Sequence, residues 1–98
     1  MLMTLSEVKK AYKAIGYNVC SCTYINTTTK SCCPISAIVL NEGCGDSHYS
    51  IVSAANHKYG QDKVLSFTYG FDGCIYNEAF DKDAFDNGVK IRKGLHVK

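Results

Sequence analysis

Cysteine is the residue type best able to do chemistry in this chain, and four of its six cysteines fall in one short window. They form Cys20-x-Cys22 and then the vicinal pair Cys32-Cys33, directly before Pro34. Thiolates are the soft ligands that zinc prefers, and the candidate zinc ligands are Cys20, Cys22, Cys33 and Cys44, with Cys32 and His48 as substitutes. A Cys-x2-Cys knuckle is absent. Buried thiols that act as small apolar side chains are therefore favoured over zinc, and disulfides stay open as a third alternative.

Cys33 is also the candidate for a thiol nucleophile. It precedes a predicted helix N-terminus at Pro34, a position that would lower its pKa, and His48 or His57 could act as base. No known spacing links these residues, so catalysis is not the leading expectation and no residue is assigned a catalytic role.

A glycine-rich turn offers a candidate ligand site. It runs as Gly43-Cys44-Gly45-Asp46-Ser47, and backbone N–H groups before a helix can bind an anion. No lysine follows the second glycine, unlike in a Walker loop, so a plain turn between helices is the main alternative. The predicted site for a small ligand or nucleotide consists of Gly43, Gly45, Asp46 and Ser47.

Tyrosine is abundant, with seven residues against no tryptophan. So many rings cannot all lie inside a small core, and exposed tyrosine is enriched at binding surfaces. We predict that a β-hairpin presents the partner surface, through Tyr17, Tyr24, Thr27 and Thr28. Its edge could also pair with a second copy, so a monomer and a homodimer both stay open.

Two groups of basic residues raise the question of nucleic acid. They are Lys9, Lys10 and Lys13 near the start and Lys90, Arg92, Lys93 and Lys98 near the end. Each group has a simpler explanation, because the first lies on the solvated face of a helix and the second complements a helix dipole. The net charge of +2 is too small to indicate nucleic acid or a membrane by itself.

The elements that must position these residues can be read from local patterns. Thr4 and Glu7 form a capping box before an amphipathic helix that Gly16 ends. Residues 17–25 and 30–33 are rich in β-branched and aromatic residues, so we expect them to pair as a hairpin that reverses over 26–30. This pairing brings Cys20 or Cys22 opposite Cys32 or Cys33.

Helices are expected to follow the hairpin. Pro34 to Leu40 is apolar nearly all round, which predicts a central, buried helix. Asp46 or Ser47 caps the next helix, which ends before Gly60, and residues 77–96 form the last, where small Ala84 and Gly88 permit close packing. An i,i+4 pair of Asp86 with Lys90 would support that helix.

Residues 62–73 fit two structures. Alternating Leu65, Phe67, Tyr69 and Phe71 before Asp72-Gly73 is typical of a strand and turn. As a helix capped by Asp62, the same segment places Val64, Phe67 and Phe71 on one face with Ser66 and Gly70 as small contact points.

Together these elements predict one α+β domain over residues 1–98, with an N-terminal helix, a β-hairpin and three to four packed helices. The first sixteen residues lack the apolar core of a signal peptide, and no stretch approaches the length of a membrane helix. We therefore expect a cytoplasmic protein without a membrane partner.

Three stretches resemble a set of small uncharacterised bacterial and phage proteins. They are Cys32-Cys33-Pro34 at the start of an apolar helix, the segment 64–73 that ends in GFDG, and Gly88 with the basic residues after it. The resemblance covers roughly residues 31–95 and implies that 62–72 is helical. It carries no assigned activity.

The expected function is therefore non-catalytic. A small phage-type protein of this kind would bind a host macromolecule, as an inhibitor of a host or defence factor or as an adaptor. A small-ligand or nucleotide-binding protein and a nucleic-acid binder are the alternatives. No cofactor is expected unless the thiols hold zinc.

Overall fold

Five helices and a three-stranded sheet make up residues 1–97, the part of the chain that this computed structural model describes. The elements are α1 (Leu5–Ile15), β1 (Asn18–Val19), β2 (Ile25–Asn26), β3 (Ser31–Cys32), α2 (Pro34–Asn41), α3 (His48–Tyr59), α4 (Gln61–Phe71) and α5 (Lys82–Gly94). The predicted α+β layout, with a helix, then strands, then helices, is confirmed.

The capping box at the start of α1 forms as expected. The Thr4 hydroxyl accepts a hydrogen bond from the Glu7 backbone N–H, and the Glu7 carboxylate accepts from the Thr4 N–H. At the other end Gly16 takes the left-handed conformation, with φ of 72°, and donates its N–H to the Tyr12 carbonyl. Both ends of the helix are therefore satisfied by residues identified from the sequence.

The sheet corrects the predicted hairpin. Only β2 and β3 form it, pairing antiparallel around residues 27–30, whereas β1 lies on the other side of β3 and runs parallel to it. Cys22 has a positive φ of 65° and gives its N–H to the Asp72 carboxylate. This bend turns the chain between β1 and β2, so residues 17–25 cannot continue as one strand.

Helix α2 is the buried centre of the fold. Pro34 occupies its first turn, and every residue from Pro34 to Val39 is buried. Helices α1 and α3 both pack against α2. The prediction of a central helix over this apolar run is confirmed.

Residues 61–71 are helical, which decides between the two structures that the sequence allowed. The helix buries Val64, Phe67 and Phe71 and leaves Leu65 and Tyr69 exposed. A strand would have put Leu65 and Tyr69 on the same face as the two phenylalanines. The predicted cap at Asp62 is wrong, because Gly60 holds the N-cap position and Asp62 lies in the first turn.

Helices α4 and α5 pack more closely than any other pair because each presents a glycine to the other's backbone. A Cβ atom at Gly70 would lie 2.1 Å from the Phe85 carbonyl oxygen, and one at Gly88 would lie 2.2 Å from that of Phe67. The prediction that Gly88 permits close approach is thus confirmed. At these two positions there is no room for a side chain between the helices.

Helix α5 begins later than predicted, at Lys82 rather than at residue 77. The Asp81 carboxylate accepts from the Ala84 N–H as N-cap, while Asn77 closes a separate turn by accepting from the Ala79 N–H. The Asp81 N–H donates to the buried Ser66 hydroxyl of α4. Residues 77–81 are consequently a loop, and Phe80 lies in that loop.

Candidate functional site

The six cysteines do not gather at one point. The Cys20 N–H donates to the Cys32 carbonyl at 3.1 Å, and Cys33 is the N-cap of α2. Cys44 follows the other end of this eight-residue helix, whose length is about 12 Å. Within residues 1–97, no group of three or more Cys, His, Asp or Glu side chains is placed to hold a metal ion. The zinc hypothesis is thus left without a ligand cluster in this part of the chain.

The environment of Cys33 is the opposite of what a nucleophile needs. Burial raises the pKa of the Cys33 thiol to about 11, although its hydrogen-bonding with Ser36, 3.3 Å away, acts in the other direction. Burial likewise raises the pKa of Cys32 to about 12. The expected lowering of the Cys33 pKa is wrong, because loss of solvation outweighs the helix N-terminus.

Access to Cys33 is also restricted. The thiol borders a cavity of about 80 Å³ between the β1–β2 loop and the end of α4, far below the 300 Å³ or so of a typical ligand pocket. His48, one of the proposed bases, places its ring edge-on against Tyr24 with centroids 5.4 Å apart. Its imidazole therefore has a packing role against the hairpin.

The glycine-rich turn places its residues at the surface. Gly43, Gly45, Asp46 and Ser47 are all exposed, and Gly43 has a φ of 101°. The Ser47 hydroxyl accepts from the Ser50 N–H as the N-cap of α3 and donates to the Ser50 hydroxyl. Capping thus occupies the polar side chain that was expected to contact a ligand, and anion binding here stays a prediction.

The residues of the predicted partner surface divide into two kinds. Tyr17 and Tyr24 are half-buried and pack against the core, whereas Thr27 and Thr28 are exposed at the tip of the hairpin. Asn26 supports the tip, since its side-chain oxygen accepts from the Thr28 and Thr29 N–H groups. Each strand is two residues long, which leaves little free edge for pairing with a second copy.

The two basic groups have different surroundings. Lys9, Lys10 and Lys13 line a shallow groove on α1, whereas Arg92 donates to the Phe71 carbonyl and so joins α5 to the end of α4. Lys98 lies outside the described residues. The expected pair of Asp86 with Lys90 is wrong, since Asp86 lies 3.0 Å from Lys82 instead.

An aromatic cluster that the sequence did not indicate lies where α4 meets the loop before α5. The Tyr69 and Phe80 rings stack with centroids 4.8 Å apart, and Tyr76 places its ring edge-on to Phe80 and to Phe85. Tyr69 is 38% exposed and Tyr76 is 39% exposed. Beside them in the loop, Ile75 is 91% exposed.

Two lysines beside this cluster are paired with carboxylates. The Lys63 ammonium lies 3.6 Å from the Asp81 carboxylate, and Lys82, which pairs with Asp86, also lies over the Tyr76 ring at 5.2 Å. Leu65, one helical turn before Tyr69, extends the apolar surface along α4. The cluster with Leu65 and Ile75 is called the aromatic face below.

Sequence reasoning missed the aromatic face because it assigned Phe80 to a helix and treated the tyrosines as one set. The available signal was the short distance along the chain between Ile75, Tyr76 and Phe80. A loop that contacts no other element rarely contains so many large apolar residues, so this loop is expected to pack against a neighbour or a partner.

No protein-family model, curated protein or solved structure matches this chain. The resemblance to small bacterial and phage proteins accordingly stays a prediction. Among the residues that the structure describes, no helix has both the length and the apolar character needed to cross a membrane.

Proposed function

We propose that this chain is a non-catalytic binding domain that docks a protein partner through the aromatic face. The observation that carries the proposal is the exposure of Ile75, and of more than a third of Tyr69 and of Tyr76, beside the stacked Phe80 ring. Tyrosine and large aliphatic side chains are the usual anchors of protein interfaces, where they fill pockets on the partner.

The paired lysines at the border of the aromatic face support a partner surface that is not acidic. Lys63 and Lys82 each have a carboxylate at hand, so neither offers an unpaired cation to an acidic surface. An interface of this kind has an apolar centre and a neutral polar rim. Nucleic acid is disfavoured here because its phosphates bind through free lysine and arginine.

The buried thiols and the small cavity beside Cys33 support the non-catalytic part of the proposal. A raised thiol pKa keeps Cys33 in its unreactive form at neutral pH. The sequence predicted a more specific form of this function, in which the partner is a host macromolecule and binding inhibits it.

The test is native mass spectrometry on the tagged protein recovered from a bacterial lysate. Ile75→Asp should abolish a co-purifying protein, since a carboxylate would enter the apolar centre, and Ile75 is too exposed for the change to affect folding. Tyr49→Asp is the matched control, because Tyr49 is 80% exposed on α3, outside the aromatic face.

A third variant separates the aromatic face from the hairpin. Thr27→Asp with Thr28→Asp alters the hairpin tip and leaves the aromatic face intact. Loss of the partner in this variant, with retention in Ile75→Asp, would show that the hairpin is the interface and would refute the proposal. Retention in all three variants would refute both surfaces.

A further inference from the structure

A groove on the opposite side of α5 from the aromatic face has different chemistry. Its volume is about 470 Å³, within the range of sites that hold small organic ligands. It is lined by Met1, Met3, Thr4, Leu5, Asn87, Lys90, Ile91 and Gly94. The groove therefore lies where the start of the chain and of α1 meets the second half of α5.

Gly94 and Asn87 give this groove its shape. A Cβ atom at Gly94 would lie 2.6 Å from a methyl carbon of Leu5, so glycine lets this side chain lie against the α5 backbone. The Asn87 side-chain oxygen accepts from the Leu2 and Met3 N–H groups, and its amide donates to the Met3 carbonyl. The floor thus presents apolar groups and polar atoms that are already satisfied.

Cations border the groove on both sides. Lys90 lines it from α5, and beyond Leu5 the surface continues into the groove formed by Lys9, Lys10 and Lys13. In the described part of the chain none of these lysines has an ion-pair partner, and the two acids that line a neighbouring cavity with Lys90 are both paired with other groups. Asp83 pairs with the Met1 amine and Asp86 with Lys82.

An apolar floor without free polar groups, bordered by unpaired lysines, fits a ligand with an aliphatic chain and one anionic end. We infer that this groove binds a single-chain aliphatic carboxylate, with the chain along Leu5 and the backbone at Gly94, which are both partly exposed, and the carboxylate at Lys90. Phosphate or nucleic acid would use the lysines and leave the floor exposed to water. A bare hydrocarbon would leave the lysines unused.

The inference goes beyond the proposed function and is independent of it. Phe85 and Gly88 face α4, whereas Asn87 and Gly94 contact the start of the chain. The two surfaces thus use different faces of one helix. Ile75→Asp should therefore bind the carboxylate as well as the unaltered protein does.

Titration calorimetry and amide NMR with octanoate, decanoate and dodecanoate test the inference. Burying a methylene adds up to about fourfold in affinity, so the affinity should rise along the series until the groove is full. The amide shifts should concentrate at Leu5, Ile91 and Gly94. Decyltrimethylammonium, which has the same chain and the opposite charge, should bind much more weakly.

Two lysine variants complete the test. Lys90→Ala should weaken decanoate binding about two- to fivefold, the value of one exposed ion pair. Lys93→Ala removes an exposed lysine of the same helix that does not line the groove and should change little. Both positions are at the surface, so the fold is retained.

Three results would overturn the inference. The first is equal binding of decanoate and decyltrimethylammonium, which would show that charge has no part. The second is an equal loss in Lys90→Ala and Lys93→Ala, or shifts outside the groove. The third is binding to vesicles of anionic phospholipid without binding of monomeric decanoate, which would assign the lysines to a lipid surface.

Discussion

At the scale of single residues, solvation decides how the thiols behave. Cys33 stands at a helix N-terminus, where the dipole favours a thiolate, yet it is buried beside Cys32 at the junction of β3 and α2. The free energy lost when a thiolate is removed from water is larger than the free energy gained from a helix N-terminus. The sequence position of Cys33 predicts a reactive thiol, but the residues packed around Cys33 keep that thiol protonated and unreactive.

The raised pKa of Cys33 predicts a specific loss of stability in alkali. An unfolded thiol has a pKa of about 8.5, whereas the folded one has a pKa of about 11. The unfolded state therefore loses this proton first, and the contribution of Cys33, complete below about pH 8.5, declines as the pH rises toward the folded pKa. The slope approaches 1.4 kcal/mol per pH unit in this window.

Urea unfolding at several pH values checks this prediction. The stability difference between the unaltered protein and Cys33→Ala should shrink by about 1 kcal/mol between about pH 9 and pH 10. Groups that do not interact with Cys33 titrate alike in both proteins and cancel. Ile35→Val, at a buried side chain without a titratable group, is the control, and its difference should stay constant. A Cys33→Ala difference that is independent of pH would contradict the prediction.

At the scale of elements, the α4–α5 crossing is the most demanding contact in the fold. Gly70 and Gly88 bring two backbones together, and Ser66 accepts a hydrogen bond from Asp81 just before α5 begins. The loop between these helices carries Ile75 and Tyr76. The crossing therefore fixes the two sides of the aromatic face relative to each other.

Gly88→Ala should destabilise the protein by about 3 kcal/mol or more, because the added methyl group would overlap the Phe67 carbonyl and the helices must separate. Gly45→Ala is the control. It has no positive φ, and its nearest contact is the Ser50 hydroxyl at 3.2 Å, so it should cost less than about 1 kcal/mol. Thermal and urea unfolding measure both. Equal costs would show that the crossing tolerates a wider separation.

The sequence predicted the elements whose signals are local. The capping box, the proline at the start of α2 and the apolar run after it depend on neighbours within one or two turns. The bend after β1 and the attachment of the start of α5 to α4 depend on Asp72 and Ser66, which come from distant parts of the chain. No local pattern contains those contacts.

The candidate sites were harder to predict than the fold for the same reason. Tyr69, Tyr76 and Phe80 meet only because α4 ends beside the loop that precedes α5. Leu5 and Gly94 lie near opposite ends of the chain and meet because Asn87 of α5 holds the segment that leads into α1. Residue types were visible in the sequence, but their juxtaposition required the tertiary structure.

At the scale of the whole molecule, charge is distributed unevenly between the two proposed surfaces. The lysines beside the aromatic face are paired with carboxylates, whereas those beside the groove have no ion-pair partner in the described residues. The buried core, in contrast, contains no charged side chain among those residues. Ionic strength should therefore act on the groove and have little effect on the fold.

Raising sodium chloride from about 0.05 M to about 0.5 M should change the free energy of unfolding by less than about 1 kcal/mol, since every ion pair in the described residues is partly exposed and such pairs contribute little. Urea unfolding at each salt concentration measures this. The same change should weaken decanoate binding and leave partner binding through the aromatic face nearly constant. A loss of stability above about 2 kcal/mol would instead mean that the surface ion pairs hold the fold together.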